Sequence, residues 1–210
     1  MTRDESAPLV VALILNWNNY SDTAICLSSL NGIDYPNLNL IVVDNGSTDG
    51  SGERLDSEFR DIDVLFNDDN RGFAGGMNPG IERALYNGAD YIWLLKNDTH
   101  FPDTNVLSRL IETMTDNPDI GVVTPLIREY PETESIWFWR GEINWRTANA
   151  DHADVPETIP NELVETDYIP NCCSLFRTAV FENVGLLPER YFIYYEDVEH
   201  GVDIRDAGYR

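Results

Sequence analysis

Four stretches of this 210-residue chain set amides, carboxylates and small hydroxyl residues directly after an apolar run. They are Asn16-Trp17-Asn18-Asn19, Asp44-Asn45-Gly46-Ser47-Thr48-Asp49, Asn67-Asp68-Asp69-Asn70-Arg71-Gly72 and Lys96-Asn97-Asp98-Thr99. Side chains of these types can hold a charged ligand or a metal ion. A single acidic loop is ordinarily a cap or a turn, because Asn and Asp bond to their own backbone. Four such clusters at one edge exceed what capping requires, so the question is whether the fold gathers them. Lys96 sharpens it, being the only lysine in a chain whose other basic residues are all arginine.

Runs at residues 9–15, 38–44, 63–66, 91–95 and 120–124 read as strands. Most are near-continuously apolar, as expected for strands covered on both faces. Amphipathic segments alternate with them. "SDTAICLSSLNG" has Ser21 as its expected N-cap and an end near Gly32. "GIERALYNG" puts Ile81, Ala84, Leu85 and Gly88 on one stripe, and "NVLSRLIETM" does the same with Leu107, Leu110, Ile111 and Met114. This order predicts an α/β fold with a Rossmann-like, mostly parallel central sheet and helices on both faces. Ligands of such sheets bind beyond the carboxyl ends of the strands, and there all four clusters would share a rim. After about residue 124 the pattern changes to a smaller, mixed region. "SIWFWRGEINW" alternates about Gly141 like a hairpin or two short strands, and "RTANADHADVPETIPNELVETD" reads as a long surface loop. Residues 174–210 predict a strand, a short helix, an aromatic extended piece and a final helix.

Composition narrows the partners. Asp and Glu number 37 against 14 Lys and Arg, a net charge of −23. Such a field repels nucleic acid and anionic lipid surfaces. The acids are scattered along the chain, and with scarce lysine they resemble the surfaces of proteins from salt-loving organisms. Three cysteines, Cys26, Cys172 and Cys173, have neither CxxC spacing nor nearby His. Adjacent Cys172 and Cys173 poorly suit disulfide geometry, so all three are expected as buried reduced thiols, which favours the cytoplasm. The apolar run near the start is too short to span a membrane and follows acids, unlike a signal peptide.

A dinucleotide cofactor is disfavoured, because "LNWNNYSD" stands where GxGxxG would follow the first strand, and no GxxxxGK[ST] exists. "RGFAGGMNPG" has neither spacing and signals only close backbone packing. In this order, "VVDNGSTDGS", "NRGFAGGMNPGIERAL", "YIWLLKNDT" and "GLLPERYFIYYEDVEHGVDIRDAGYR" resemble family 2 inverting glycosyltransferases with the GT-A fold, the rhamnosyltransferase-like branch in particular. The likeness covers residues 10–210. It implies a nucleoside-diphosphate sugar lying across the first four strand ends. Asp44, in the family's V-D-N-x-S segment, would bond the base or ribose, with Asn16, Asn18 and Trp17 lining the base pocket. Asn70, Arg71, Gly72, Lys96 and Asn97 join the substrate-binding set. Asp98 falls on the metal-binding aspartate of the DxD-like motif, which implies Mg²⁺ or Mn²⁺ held mainly by diphosphate oxygens. Lys96 departs from the usual Asn or Asp at the motif's first position, leaving metal dependence open.

The same resemblance makes Asp197 the base that takes the proton of the acceptor hydroxyl, with Glu196 positioning loops or acceptor. Read without it, Asp197 would as readily cap the last helix. Asp203 stands where the family commonly has Arg, with Arg205 two residues on, and His200 replaces an apolar residue and is expected on the helix surface. Trp137, Phe138, Trp139 and Trp145 suit either sugar stacking or core. The expectation is one GT-A domain, with residues 1–124 holding the donor and 125–210 the acceptor and base. A glycan or lipid-linked acceptor, a site at the cytoplasmic membrane face, peripheral membrane association and a continuation past residue 210 follow from family habit. The rival reading is a non-catalytic sugar-binding module on the same fold.

Overall fold

The computed structural model describes residues 7–131 and 134–210. Ten strands form within them: β1 (Val10–Asn16), β2 (Leu38–Asn45), β3 (Asp63–Asn67), β4 (Tyr91–Lys96), β5 (Val122–Val123), β6 (Ile127–Arg128), β7 (Ile136–Phe138), β8 (Gly141–Asn144), β9 (Asn149–His152) and β10 (Cys173–Arg177). The helices are α1 (Tyr20–Leu30), α2 (Ser51–Glu58), α3 (Gly72–Tyr86), α4 (Val106–Asp116), α5 (Thr178–Asn183) and α6 (Glu196–Asp206). The main sheet has the order β3-β2-β1-β4-β10-β5. Strands β1 to β4 run parallel, and β10 runs antiparallel to both β4 and β5.

Alternation along buried strands builds two core layers. Val10, Ala12 and Ile14 of β1, with Trp93 and Leu95 of β4, meet Leu27 and Leu30 of α1 and Leu107, Ile111 and Met114 of α4. Val11, Leu13, Ile92 and Leu94 point the other way, to Ala74, Met77, Ile81 and Ala84 of α3. Each large side chain buried this way stabilises by about 1.5–3 kcal/mol, so the sheet is a firm platform for its loops. Its parallel register leaves the four strand ends level. Asn16 pairs with Asp44, Leu15 with Lys96, and Asn45 with Asn67. The four polar clusters therefore do share one rim.

Several local expectations are corrected. Helix α1 starts two residues early because Asn19, not Ser21, caps it, accepting from the Asp22 amide at 3.3 Å. Helix α3 starts at Gly72, far ahead of the stripe that announced it, and Gly88 lies beyond its end. Its glycines are the reason. A Cβ on Gly76 would come within 2.8 Å of Asn45 and Leu15, and one on Gly80 within 2.9 Å of Val43. The helix backbone lies against the sheet there, a gain in contact that outweighs glycine's poor helix propensity of about 1 kcal/mol. The two halves of "SIWFWRGEINW" do not pair with each other. β7 pairs with β6 and β8 with β9, so the supposed long loop contributes a strand of its own. Of the aromatics there, Phe138 is core, while Trp145 at the β8–β9 turn is exposed. No helix among the described residues is long and apolar enough to cross a membrane.

Candidate functional site

At the ends of β1 and β2, Asn16 is fully buried and works as a strut. Its Nδ2 donates to Asp44 Oδ1 at 2.7 Å and to Ser51 Oγ at 2.9 Å, and its Oδ1 accepts from Thr23 Oγ1 at 2.7 Å. Asn97 Nδ2 donates to the same Thr23 oxygen at 3.1 Å, so the β4 loop joins the network. Asp44 is also almost wholly buried and accepts from the Ser47 amide and hydroxyl. Asn18 stands outside them at φ +50, its Oδ1 accepting from the Thr48 amide at 2.8 Å, and Trp17 beside it is exposed.

A second amide network joins β2 to β3 and α3. Asn45 Nδ2 donates to Asn70 Oδ1 at 2.9 Å and to the Gly72 carbonyl at 3.0 Å. Asn67 Nδ2 and the Arg71 amide both donate to Asn45 Oδ1. The Arg71 guanidinium crosses to Glu189 at 3.0 Å, tying this loop to the second half of the chain. Asn45 thus organises the rim, although only its neighbours Asp44 and Asn70 were singled out from the sequence.

At the end of β4, Lys96 Nζ lies 3.2 Å from Asp98 Oδ2, with both side chains more than half exposed. The Cys172 carbonyl accepts from the Lys96 amide and from Thr99 Oγ1. Burial pushes the Cys172 thiol up to about 12, and the charges of Lys96, Asp98 and Asp197 all reach it. The two hydrogen bonds to its carbonyl tie Cys172 to the β4 loop. Among the described residues no three His, Cys, Asp or Glu side chains cluster as a metal cage. The residues at Asp98 do fit a hard cation that takes most of its ligands from a phosphate group, because the one carboxylate and its partner Lys96 are both more than half exposed.

Asp197 sits in the first turn of α6, its Oδ1 accepting from the Val198 amide at 2.8 Å. Burial raises its pKa above the ordinary aspartate value. A half-buried carboxylate with raised basicity is suited to accept a proton. The family model described as Glycosyl transferase family 2 matches residues 12–185. The chain belongs to that family.

Family 2 relatives are similar over different shares of it. A galactofuranosyltransferase of Mycolicibacterium smegmatis is 27% identical over 91% of this chain and 63% of its own length. A poly-β-1,6-N-acetyl-D-glucosamine synthase of Staphylococcus epidermidis is 33% identical over 56% of this chain and 29% of its own. An N-acetylglucosaminyl-diphospho-decaprenol L-rhamnosyltransferase of Mycobacterium tuberculosis is 26% identical, covering 82% and 62%. The chain thus spans less than two thirds of the length of each. Among solved structures, a mannosyltransferase of Pyrobaculum calidifontis in complex with GDP-Man and Mn²⁺ superposes with a TM-score of 0.70, at 17% identity over 100% of this chain and 55% of that one. GalNAc-T7 with UDP, GalNAc and Mn²⁺ gives 0.78 at 14% identity, covering 96% and 41%. These likenesses show the GT-A fold.

Around Glu196 and Asp197, the structure adds residues with no local signal in the sequence. The charges of Asp197 and Tyr195 reach Tyr168, whose phenol burial pushes up to about 12, and His152 of β9 acts electrostatically on Asp197. His200, expected on the surface, is only 2% exposed and stacks on Phe181 with ring centroids 5.6 Å apart. Burial lowers its pKa, so the imidazole is neutral. Glu196 is buried with Oε2 unpartnered, and burial pushes its carboxyl from 4.5 up to about 7. Below about pH 4.5 Glu196 is protonated whether the chain is folded or unfolded. Between 4.5 and about 7 the unfolded chain releases that proton and the folded one keeps it, so stability falls with rising pH. The full penalty of burying the carboxylate is reached above about 7. Glu196→Gln should therefore melt higher than the parent above about pH 7, with the gap closing below 4.5. Paired thermal melts across that window check it; a gap independent of pH contradicts it.

Proposed function

We propose that the chain is the donor- and acceptor-binding part of an inverting glycosyltransferase. It moves a hexosyl or rhamnosyl unit from a nucleoside-diphosphate sugar to a hydroxyl of a glycan or lipid-linked acceptor. The observation that carries this reading is the shared rim of a family 2 chain, where the parallel register brings the polar ends of β1, β2, β3 and β4 level. In this reading the donor lies across that rim with its diphosphate at Asp98, and Asp197 serves the acceptor. Residues 1–124 hold the donor, and residues 125–210 bring the acceptor and the base.

On the donor side, Asp44 meets the base or ribose, held in place by the buried Asn16, while exposed Asn18 and Trp17 flank the base. The Asn70-Arg71-Gly72 turn borders the sugar and diphosphate, and Asn97 ties the β4 loop to the β1 end. Asp98 would hold Mg²⁺ or Mn²⁺ together with diphosphate oxygens, and that cation would offset charge on the departing nucleoside diphosphate. Lys96, 3.2 Å away, is a second cation available to the same oxygens. Asp197 takes the proton of the acceptor hydroxyl as its oxygen bonds to the anomeric carbon from the face opposite the breaking bond to the diphosphate. The raised basicity of Asp197 favours that transfer. Glu196, buried beside it, positions loops or acceptor.

The GDP-Man, UDP and Mn²⁺ held by the superposed structures support a nucleoside diphosphate and a divalent cation here. The mycobacterial rhamnosyltransferase supports a rhamnosyl-type donor and a lipid-linked acceptor. We place the enzyme in the cytoplasm, at the inner membrane face where such an acceptor is exposed. The scattered carboxylates point to a salt-rich interior, so its melting temperature should climb steeply into molar KCl. A temperature independent of salt contradicts that assignment.

The test is thermal stabilisation by UDP, dTDP and GDP with and without Mn²⁺, in wild type and Asp98→Ala. Ligand bound only to the folded state raises its stability by mass action, by about 2.7 kcal/mol at 100 times Kd. One nucleotide should stabilise, more strongly with Mn²⁺, and the Mn²⁺-dependent part should vanish in Asp98→Ala. Equal shifts in both proteins would remove Asp98 from the metal role.

A further inference from the structure

Beneath Asp197 lies a cavity of about 10 Å³, bounded by Asn171, Asp197, His200 and the apolar Val122, Phe176 and Ile204. That is room for one water molecule. Asp197, His200 and Ile204 share a face of α6 at helical spacing, and the 168–171 segment packs against that face, Tyr168 lying beside Gly201. Two polar atoms here have no hydrogen-bond partner in the protein, Asn171 Nδ2 and His200 Nδ1. Their side chains are 5% and 2% exposed, so bulk water does not satisfy them. A buried polar group left unpaired is costly, which makes two around one cavity a signature of something bridging them.

The chemistry of the three groups fixes what that bridge is. His200 Nε2 lies 3.2 Å from the Gly185 carbonyl oxygen, which can only accept. Nε2 therefore carries the proton and donates, and Nδ1 of the neutral ring is an acceptor. Asn171 Nδ2 is a donor. The Asp197 carboxylate is an acceptor, already held at Oδ1 by the Val198 amide. One donor and two acceptors around a water-sized space match a water that accepts once and donates twice. We propose that a single internal water accepts from Asn171 Nδ2 and donates to His200 Nδ1 and to the Asp197 carboxylate. Asn171 and His200 are then positioning residues for the base. The water gives the carboxylate a second point of attachment from below, holding its free lone pairs towards the acceptor side. This rests on the reading of Asp197 as the base.

The test joins a crystal structure of the full chain, at a resolution that orders internal water, to steady-state kinetics. Nucleotide release from UDP-glucose, dTDP-rhamnose and GDP-mannose would be followed for wild type, Asn171→Ala, His200→Leu, His200→Gln and Asp197→Asn. The proposal expects density within hydrogen-bond reach of all three groups. It expects kcat lower by about tenfold in Asn171→Ala and His200→Leu with KM unchanged, the loss of one hydrogen bond to a charged group. Recovery in His200→Gln, which restores an acceptor, separates positioning from mere packing. Absence of density, or wild-type kcat in Asn171→Ala and His200→Leu, overturns the water site. If His200→Leu does not fold, Asn171→Ala and the density decide. Wild-type activity in Asp197→Asn would overturn the base reading itself, whereas an inactive Asp197→Asn beside unimpaired Asn171→Ala overturns the water site alone.

Discussion

Asp197→Asn should lower sugar transfer by roughly 100- to 10,000-fold, the range general-base removal produces, without weakening nucleotide binding. The amide keeps the size of the carboxylate but cannot take a proton from the acceptor. The donor side of the cleft, built from Asn16, Asp44, Asn45 and Asn70, has no hydrogen bond to Asp197 and should be unaffected. In the parent, burial raises the Asp197 pKa, so activity should fall as pH drops through that raised value and recover on return. His152 acts against this shift, and the charge of Asp197 in turn helps to raise Glu196 to about 7. The kcat–pH profile of the parent and of Glu196→Gln therefore reads both groups. An Asn variant with parental kcat would remove Asp197 from catalysis.

The second large effect is structural. Gly72 opens α3 with φ +73, and a Cβ there would overlap the carbonyl of Phe192. That carbonyl accepts from the Phe73 amide at 2.9 Å, which fastens the exposed run from Phe192 to Tyr195 onto the helix start. Tyr194 and Tyr195 are both in the left-handed region, so the run has little freedom to move aside without disturbing Glu196 and Asp197. Gly72→Ala should cost about 3 kcal/mol, the sum of left-handed strain and a backbone clash, and should lower activity beyond the loss of folded protein. Gly88→Ala is the control. Its φ is +75 but nothing lies within 4 Å, so only strain of roughly 1–2 kcal/mol remains. Urea unfolding of the two variants separates clash from strain. Equal losses would mean that the Phe192 segment is not held there.

Strands β1, β2 and β4 were legible because burial on both faces leaves an uninterrupted apolar run, and their shared rim followed from the alternation with helices. The polar clusters at that rim were likewise visible as residue types, because each follows directly on an apolar run. What stayed hidden depended on distant contacts. The start of α3 is written in glycines, which favour no helix until a sheet lies beneath them to be approached. Asn19 outranks Ser21 as a cap only once the backbone enters the turn. β8 and β9 are joined across a polar segment with no strand signature, and β7 turns to β6 instead. His200 looked like a surface residue because of its polar type, yet its ring packs against both Phe176 and Phe181. Asn171, some 26 positions before Asp197, carries no spacing that would connect the two.

The central claim is inverting transfer with Asp98 on the donor diphosphate and Asp197 as the base, and product stereochemistry tests it most directly. With water as surrogate acceptor, the protein would be incubated in molar KCl and Mn²⁺ with α-linked UDP-glucose and GDP-mannose. Proton NMR would follow the sugar released before mutarotation. The account predicts that the β anomer appears first and that Asp197→Asn does not form it. An α anomer appearing first, or no sugar released by well-folded protein from either donor or from dTDP-rhamnose, would contradict it.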